Sequence, residues 1–470
     1  MQTMTSRIRL ALWALAFVCA SALSWLIPPM QSPDETSHVA RAYLLAQGHW
    51  LLQEAPVNVA APTDTQVASF VRRLGGQTDA GGLLDPALLK FMAAHLGLVL
   101  DAKLRLSDAQ QQAIAQLRWS EPTIHFSIPR TGYYFPLVYA PQAAGLAAGM
   151  ALDLSVENSY RLARAFTLLV CFVLLATACR LAPASPLALA TLLLPMSLFQ
   201  LLSPTIDGLT TSLGLLTLSL FLRKTAMPAS RPWASSAALA LCVFVLVTSR
   251  THLLPLLLLP FFLAWRHKSA RDFALAGVVT AGSLAWVLFA LRTTTDTLVL
   301  RQHSSSELLL HYAVHPADFF SIVHASLTNP ELSTFYQQSF IGILGWLDTA
   351  LPAPFYPLLW AGLGLCALAS ISFSGKREWG ARLILLCAAL ASVGLIFLSQ
   401  LVTWTPHPAT LVQGVQGRYF VIPVLMLGYA LHGFATGQSA IRQRLATVAL
   451  IAFGVLSLAA LSMTLLHRYH

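Results

Sequence analysis

Apolar runs of roughly 20 residues, separated by short polar segments, recur along most of this chain. Each is long enough to cross a hydrocarbon core. They fall at 10–27, 133–150, 162–179, 185–202, 207–222, 233–249, 253–265, 272–291, 354–373, 383–402, 418–434 and 445–465. The pattern predicts an all-α integral membrane protein, a polytopic bundle of about 11–12 transmembrane helices. Polar segments of unequal length lie between the runs. Residues 29–132 form a first long outer loop, 293–352 a second and 403–417 a shorter third. Within the first, Ser107 followed by an amphipathic stretch to Leu117 predicts a capped helix that lies along the membrane. No internal repeat or soluble domain is evident, so residues 1–470 read as a single transmembrane domain that carries these loops.

Basic residues supply the topology. Arg7/Arg9, Arg223/Lys224/Arg231, Arg266/Lys268/Arg271, Lys376/Arg377/Arg382 and Arg442/Arg444 mark the cytoplasmic side. The N-terminus is then cytoplasmic, and the three loops face the periplasm. The run 10–27 ends in Ile27-Pro28-Pro29 without a small-residue cleavage site, so it reads as a retained first span. From residue 223 onward the crossings alternate without strain. Between the first loop and Arg223, however, four apolar runs lie where an odd number of crossings is required. The run 133–150, interrupted by Pro136 and Pro141, is the candidate for a re-entrant segment. The alternative is that 162–202 forms one bent passage.

Composition sharpens the class. Of 470 residues, 56% are hydrophobic and 10% charged, and the mean hydropathy is +0.66. The net charge of +10 does not indicate nucleic acid, because much of the Lys/Arg sits in short loops as topology signals do. The six cysteines lie in or at the edge of apolar runs, which argues against a disulfide framework or a cysteine metal site.

Ionisable residues at the ends of spans are the candidates for chemistry. Ser32-Pro33-Asp34-Glu35 follows the first span. Ser at N-cap, Pro at N1 and Glu at N3 would form a capping box opening a helix over 33–47, stopped by Gly48. That accounts for Glu35 and leaves Asp34 unused, with His38 one turn along on the same side. Asp207 follows Ser203-Pro204-Thr205-Ile206, where capping is an equally good explanation. Arg250 and His252 occupy a turn assigned to the outer face. An arginine there breaks the positive-inside pattern and hints at an anionic partner; a snorkelling side chain is the plainer reading.

Gly414-Val415-Gln416-Gly417-Arg418-Tyr419 opens a later span. A Gly-rich approach to a helix can offer N–H groups to phosphate, and Arg418 adds a planar fork; the plain reading is an interfacial aromatic–arginine belt. Gly342–Asp348 reads as a buried turn and anchor, with Trp346 able to stack on a sugar. The second loop carries His303, His311, His315, Asp318, His324, Glu331 and Asp348, but no sharp metal-ligand spacing. No cofactor is indicated; a divalent metal is possible but has no motif.

Two acids and two arginines thus converge on one membrane face from distant parts of the chain. That suits activation of a hydroxyl against an anionic lipid-borne leaving group. The motifs around Asp34/Glu35/His38, Tyr134–Tyr139, Ser203–Asp207, Gly345–Asp348 and Gly414–Phe420 resemble a family of bacterial inner-membrane proteins of unassigned function. That family in turn resembles the GT-C superfamily of glycosyltransferases. The resemblance implies transfer of a sugar from a polyprenyl-phosphate carrier to a periplasmic glycan or lipid-linked acceptor. It implies Asp34 and Glu35 as the acidic catalytic motif and Asp207 as a second acid. The resemblance does not choose between Asp34 and Glu35; because capping accounts for Glu35, Asp34 is read as the base, with His38, Arg250, His252, Trp346, Gln416, Arg418 and Tyr419 binding substrate. The expected partners are donor, acceptor and membrane lipid, with no nucleic acid. The rivals are a transporter or flippase for a lipid-linked saccharide and a surface-polysaccharide polymerase or ligase.

Overall fold

The computed structural model describes residues 6–54, 62–74, 80–101, 103–226, 233–293, 303–372, 378–433 and 440–470. Arg231, Lys376 and Arg377 of the expected cytoplasmic clusters lie outside the described residues. The first apolar run is carried by helix α1 (Ser6–Ser24). The first long loop folds into α2 (Glu35–Ala46), α3 (Thr65–Leu74), strand β1 (Gly81–Leu84), α4 (Pro86–Leu100), α5 (Asp108–Ala115) and strand β2 (Ile124–Ser127). The ribbon pairs β1 and β2 antiparallel, with Gly81 opposite Ser127 and Leu84 opposite Ile124. Local signals set two of these helices. Asp85 accepts the Ala87 N–H at 2.6 Å ahead of Pro86 and starts α4. Ser107 and Gln110 form the reciprocal capping box expected for α5.

Two 3-10 turns, Pro129–Tyr133 and Pro136–Tyr139, lead into α6 (Ala140–Ala151). At 12 residues α6 is about 18 Å long, well short of a bilayer core. The prolines that mark the run 133–150 therefore do keep it from crossing as one helix. Next come α7 (Val156–Leu181), α8 (Pro186–Leu192), α9 (Pro195–Leu201) and α10 (Ile206–Ala226). The α9 and α10 axes meet at a bend of 107°.

The chain continues through α11 (Trp233–Ser249), a 3-10 segment at Thr251–Leu257, α12 (Leu258–His267) and α13 (Ala270–Thr293). The second long loop contributes α14 (Ser305–Val314), α15 (Pro316–Thr328), α16 (Pro330–Ile341) and the hairpin β3 (Ile343–Leu344)–β4 (Thr349–Ala350). Last are α17 (Phe355–Ser370), α18 (Trp379–Thr403), a 3-10 turn at Gly417–Phe420, α19 (Val421–His432) and α20 (Ala440–Tyr469).

Among the described residues, α7, α13, α18 and α20 are individually long and apolar enough to cross a membrane; α9 with α10 would add a bent passage. Most of the other apolar runs are carried by shorter or proline-broken helices, so fewer uninterrupted spans exist than apolar runs. A stripe on α20, Ile441, Leu445, Val448, Ile451 and Val455, is exposed at helical spacing, as a lipid-facing surface requires. One apolar cluster joins α2, α4 and β2 of the first loop to α6, α7 and α10. This cluster fixes the first loop on the bundle.

Candidate functional site

The chain leaves α1 through a turn in which Met30 and Asp34 both have left-handed backbone, with φ of 63° and 60°. The expected helix start at Pro33 is displaced: α2 begins at Glu35, and Asp34 is its N-cap without capping through its side chain. Half of the expected box forms. The Glu35 carboxylate accepts the Ser32 N–H at 2.9 Å, while the Ser32 hydroxyl has no partner. A non-glycine residue with positive φ costs energy and needs outside support. That support comes from two distant contacts. The Trp346 indole donates to the Met30 carbonyl at 3.0 Å, and Arg418 holds the Asp34 carboxylate. Trp346 is thus a strut for this turn, with its polar edge engaged, rather than a free stacking face.

Asp34 and Glu35 have opposite surroundings. Glu35 is fully buried. It accepts from the Tyr160 hydroxyl and lies 4.0 Å from the Arg164 guanidinium. Arg164 in turn donates to the carbonyls of Ser24 at 2.6 Å and Ile27 at 2.9 Å. Burial pushes the Glu35 carboxyl up from its ordinary value, against the pull of Arg164. Asp34 keeps 47% of its side-chain surface accessible. Its surroundings would raise it by desolvation, but the Arg418 charge outweighs this and holds the carboxyl below the usual aspartate range.

Arg418 joins the acids. Its Nη2 lies 2.9 Å from Asp34 Oδ2 and its Nη1 3.0 Å from Asp207 Oδ2. Arg250 pairs with the other oxygen of Asp207. Each residue sits at the end of an element: Asp34 before α2, Asp207 in the first turn of α10, Arg250 after α11, Arg418 before α19. The 107° bend ahead of α10 brings Asp207 to the others. The four charges sum to zero, and three are nearly sealed, with side-chain exposures of 9% for Asp207, 11% for Arg250 and 2% for Arg418. Asp34 is the accessible member.

Aromatic side chains wall the cluster. His38 Nδ1 is 3.0 Å from the Tyr139 hydroxyl, and burial takes its pKa down to about 4, so the ring is neutral at physiological pH. The Arg250 guanidinium lies 5.5 Å from the Tyr134 ring centre, and that of Arg418 lies 5.5 Å from Tyr419. His252 faces Tyr419 at 6.1 Å. Gln416 presents a buried Oε1 without a partner.

The phosphate-cradle reading of the glycines needs correction. The Gly417 N–H donates to Ser339 Oγ at 2.8 Å, and a Cβ on Gly417 would sit 2.0 Å from the Phe340 nitrogen. Gly414, at φ +79°, packs against Trp404. Both glycines admit close packing, and the Gly417 donor is already used. Arg418 likewise has both terminal nitrogens on carboxylates, so any phosphate would have to share or exchange them.

The second-loop histidines stand apart. His303, His311, Asp318 and His407 line a separate pocket of about 500 Å³, with His311 3.2 Å from Asp318. Among the described residues no three His, Cys, Asp or Glu side chains come together as metal ligands.

Several members were not singled out from sequence. Tyr160 and Arg164 hold Glu35, and Arg164 could have been found as a charge within an apolar run. Arg130 lies 4.8 Å over the Trp404 ring and its charge acts on Asp34. Gln142, fully buried on α6, donates to the Thr205 carbonyl at 3.2 Å and steadies the approach to Asp207.

A family model described as "Predicted membrane protein (DUF2142)" matches residues 17–428. The chain belongs to the DUF2142 family. Asp34, Glu35, Tyr160, Arg164, Asp207, Arg250 and Arg418 all lie within the matched residues of this DUF2142 chain, and α20 lies beyond them. No curated protein matches. A solved structure, ArnT from Cupriavidus metallidurans bound to undecaprenyl phosphate, is similar at 16% identity over 90% of this chain and 78% of that one. The TM-score is 0.30, an overlap that carries no inference for this chain.

Proposed function

We propose that this protein is a membrane glycosyltransferase of GT-C type that moves a sugar from a polyprenyl-phosphate carrier to a periplasmic glycan or lipid-linked acceptor. The observation that carries this reading is the accessible, ionised Asp34 carboxylate at the edge of a neutral cluster of buried charges. Asp34 takes the proton from the acceptor hydroxyl. The acceptor oxygen attacks the anomeric carbon, the bond from that carbon to the carrier phosphate breaks, and the phosphate leaves with the electron pair. A single displacement of this kind inverts the anomeric centre. Arg418 orients Asp34 and Asp207, and with Arg250 it supplies positive charge to the departing phosphate by sharing N–H groups with it. Asp207 keeps the two guanidinium groups in register. Tyr134, Tyr139 and Tyr419 line the sugar position, and Glu35 serves the turn rather than the reaction. The active site faces the periplasm of a bacterial inner membrane.

A transporter of lipid-linked saccharide would place ionisable groups within its spans. Here they gather at the ends of elements. The test is to compare lipid-linked and finished glycans in cells that carry wild type, Asp34→Asn or no protein. Carrier-bound sugar that accumulates in both deficient strains supports transfer. Normal glycans in the Asp34→Asn strain would overturn the base assignment, and carrier-bound sugar trapped on the cytoplasmic face would favour transport.

A further inference from the structure

A cavity of about 1110 Å³ opens where the outer ends of α1, α7 and α20 meet the first-loop helices α4 and α5. Its lining shares no residue with the Asp34–Arg418–Asp207–Arg250 cluster. The lining changes character along α7: Glu157, Asn158 and Arg161 lie near its start, and Leu162, Ala165 and Leu168 follow. Arg105 joins the polar lining and Ile27 the apolar. Along α7 the distance from Glu157 to Leu168 is about 16 Å, close to the span from a lipid head group into its acyl chains.

The charge at the polar end is net positive. Arg161 pairs with Glu157 at 2.5 Å and lies 3.8 Å over the exposed Trp25 ring, an arrangement typical of a membrane interface. Arg105 donates to the His467 carbonyl at 3.2 Å, which brings a second guanidinium to the rim. At the back, Arg164 is more than nine-tenths buried and its Nε has no partner. With Glu35 behind Arg164, two carboxylates stand against the three guanidinium groups of Arg105, Arg161 and Arg164, so the space suits an amphiphile with an anionic head.

We propose that this cavity is a binding site for an anionic phospholipid of the surrounding bilayer, with its phosphate near Arg105 and Arg161 and an acyl chain between α1 and α7. The back wall is formed by Tyr160 and Arg164, the two side chains that hold Glu35. A lipid here braces the turn that carries Asp34 without entering the Asp34 cluster.

The experiment uses the full-length protein, stripped of lipid in detergent and returned to phosphatidylglycerol or to phosphatidylcholine with the same acyl chains. Retained lipid is counted by native mass spectrometry. Phosphatidylglycerol should be retained in preference, and Arg105→Ala and Arg161→Ala should each weaken it about fivefold. Ala165→Phe should fill the apolar end and abolish retention. Asp34→Asn should bind as wild type does, which separates this site from the transferase reading. Equal retention of the two lipids, wild-type retention by the double arginine variant, or one-for-one displacement by a short-chain polyprenyl phosphate would overturn the proposal.

Discussion

Asp34 and Glu35 are neighbours in sequence, and each lies near an arginine, yet they occupy different physical worlds. Glu35 looks inward to Tyr160, Arg164 and the Ser32 amide, with no water contact and a raised pKa. Asp34 looks across to Arg418 with nearly half its side chain open and a lowered pKa. The cause is one backbone torsion. In the expected box both residues would lie in the first turn of α2. With φ of 60° at Asp34, the chain turns before the helix starts, and the two carboxylates diverge. Buried, fully bonded acids hold structure, whereas an ionised acid that keeps an open face can meet a substrate.

The largest contrast should appear when each acid is replaced by its amide. Asn tolerates the left-handed conformation, so Asp34→Asn should fold. Its sugar transfer per folded molecule should fall by about 10²- to 10⁴-fold. Glu35→Gln should instead lower stability by about 1–3 kcal/mol and leave turnover of the folded fraction close to wild type. Transfer assays paired with thermal melts check both. Equal turnover in the two variants would erase the distinction.

The arginines offer the next comparison. Arg418→Ala leaves Asp207 with only Arg250 and Asp34 without its clamp, so it should cost about 3–5 kcal/mol and abolish transfer. Arg418→Lys should recover part of the stability but little of the activity, because an ammonium cannot span two carboxylates as a fork does. Arg164→Ala should destabilise while sparing turnover of whatever folds. Denaturant unfolding in detergent, with rates corrected for folded fraction, distinguishes these cases.

Protonation should act on the two acids with opposite sign. The Asp34 value is depressed, so its pairing stabilises above the unfolded pKa and is lost as pH falls through the folded value below 3.8. The Glu35 value is raised, so ionising it costs stability as pH rises from about 4.5 toward the folded value. Melting temperature against pH should therefore show a shallower decline above pH 4.5 in Glu35→Gln. The acid limb of the rate profile should lie below pH 4 in wild type and move upward in Arg418→Lys.

The smallest effect is one of access. Single cysteines at the exposed positions Ala113 and Thr410, in a cysteine-free background, should label with an impermeant reagent from outside. One at Lys268, also exposed, should label only after the membrane is opened. The reverse pattern would put the whole comparison on the cytoplasmic side.

Much of this arrangement was legible in the sequence. Acids and arginines at span ends are rare enough to point to Asp34, Asp207, Arg250 and Arg418, and charge topology gathered them on one face. Prolines at 136 and 141 marked where the run 133–150 would be interrupted. The capping grammar failed at Ser32–Glu35 because two tertiary contacts, from Trp346 and Arg418, override a local preference. The pairing of Arg418 with Asp34 and Asp207 was not legible, since it depends on a bend of 107° that no local signal measures. Nor was the ribbon of β1 and β2, whose Gly-Gly-Leu-Leu strand lacks a clear alternation.

Gly417 bears on how this chain can vary over time. An added Cβ would meet the Phe340 nitrogen at 2.0 Å, and that nitrogen belongs to α16, which has no flexible tip to yield. Position 417 is closed to any side chain whatever the protein binds. Within Gln416-Gly417-Arg418-Tyr419, the glycine thus answers to the seating of α16 on the bundle, while Arg418 answers to the two carboxylates it clamps. Room for diversification lies a few residues earlier, at the exposed Thr410 and Gln413, where new side chains can be tried without unseating the fold.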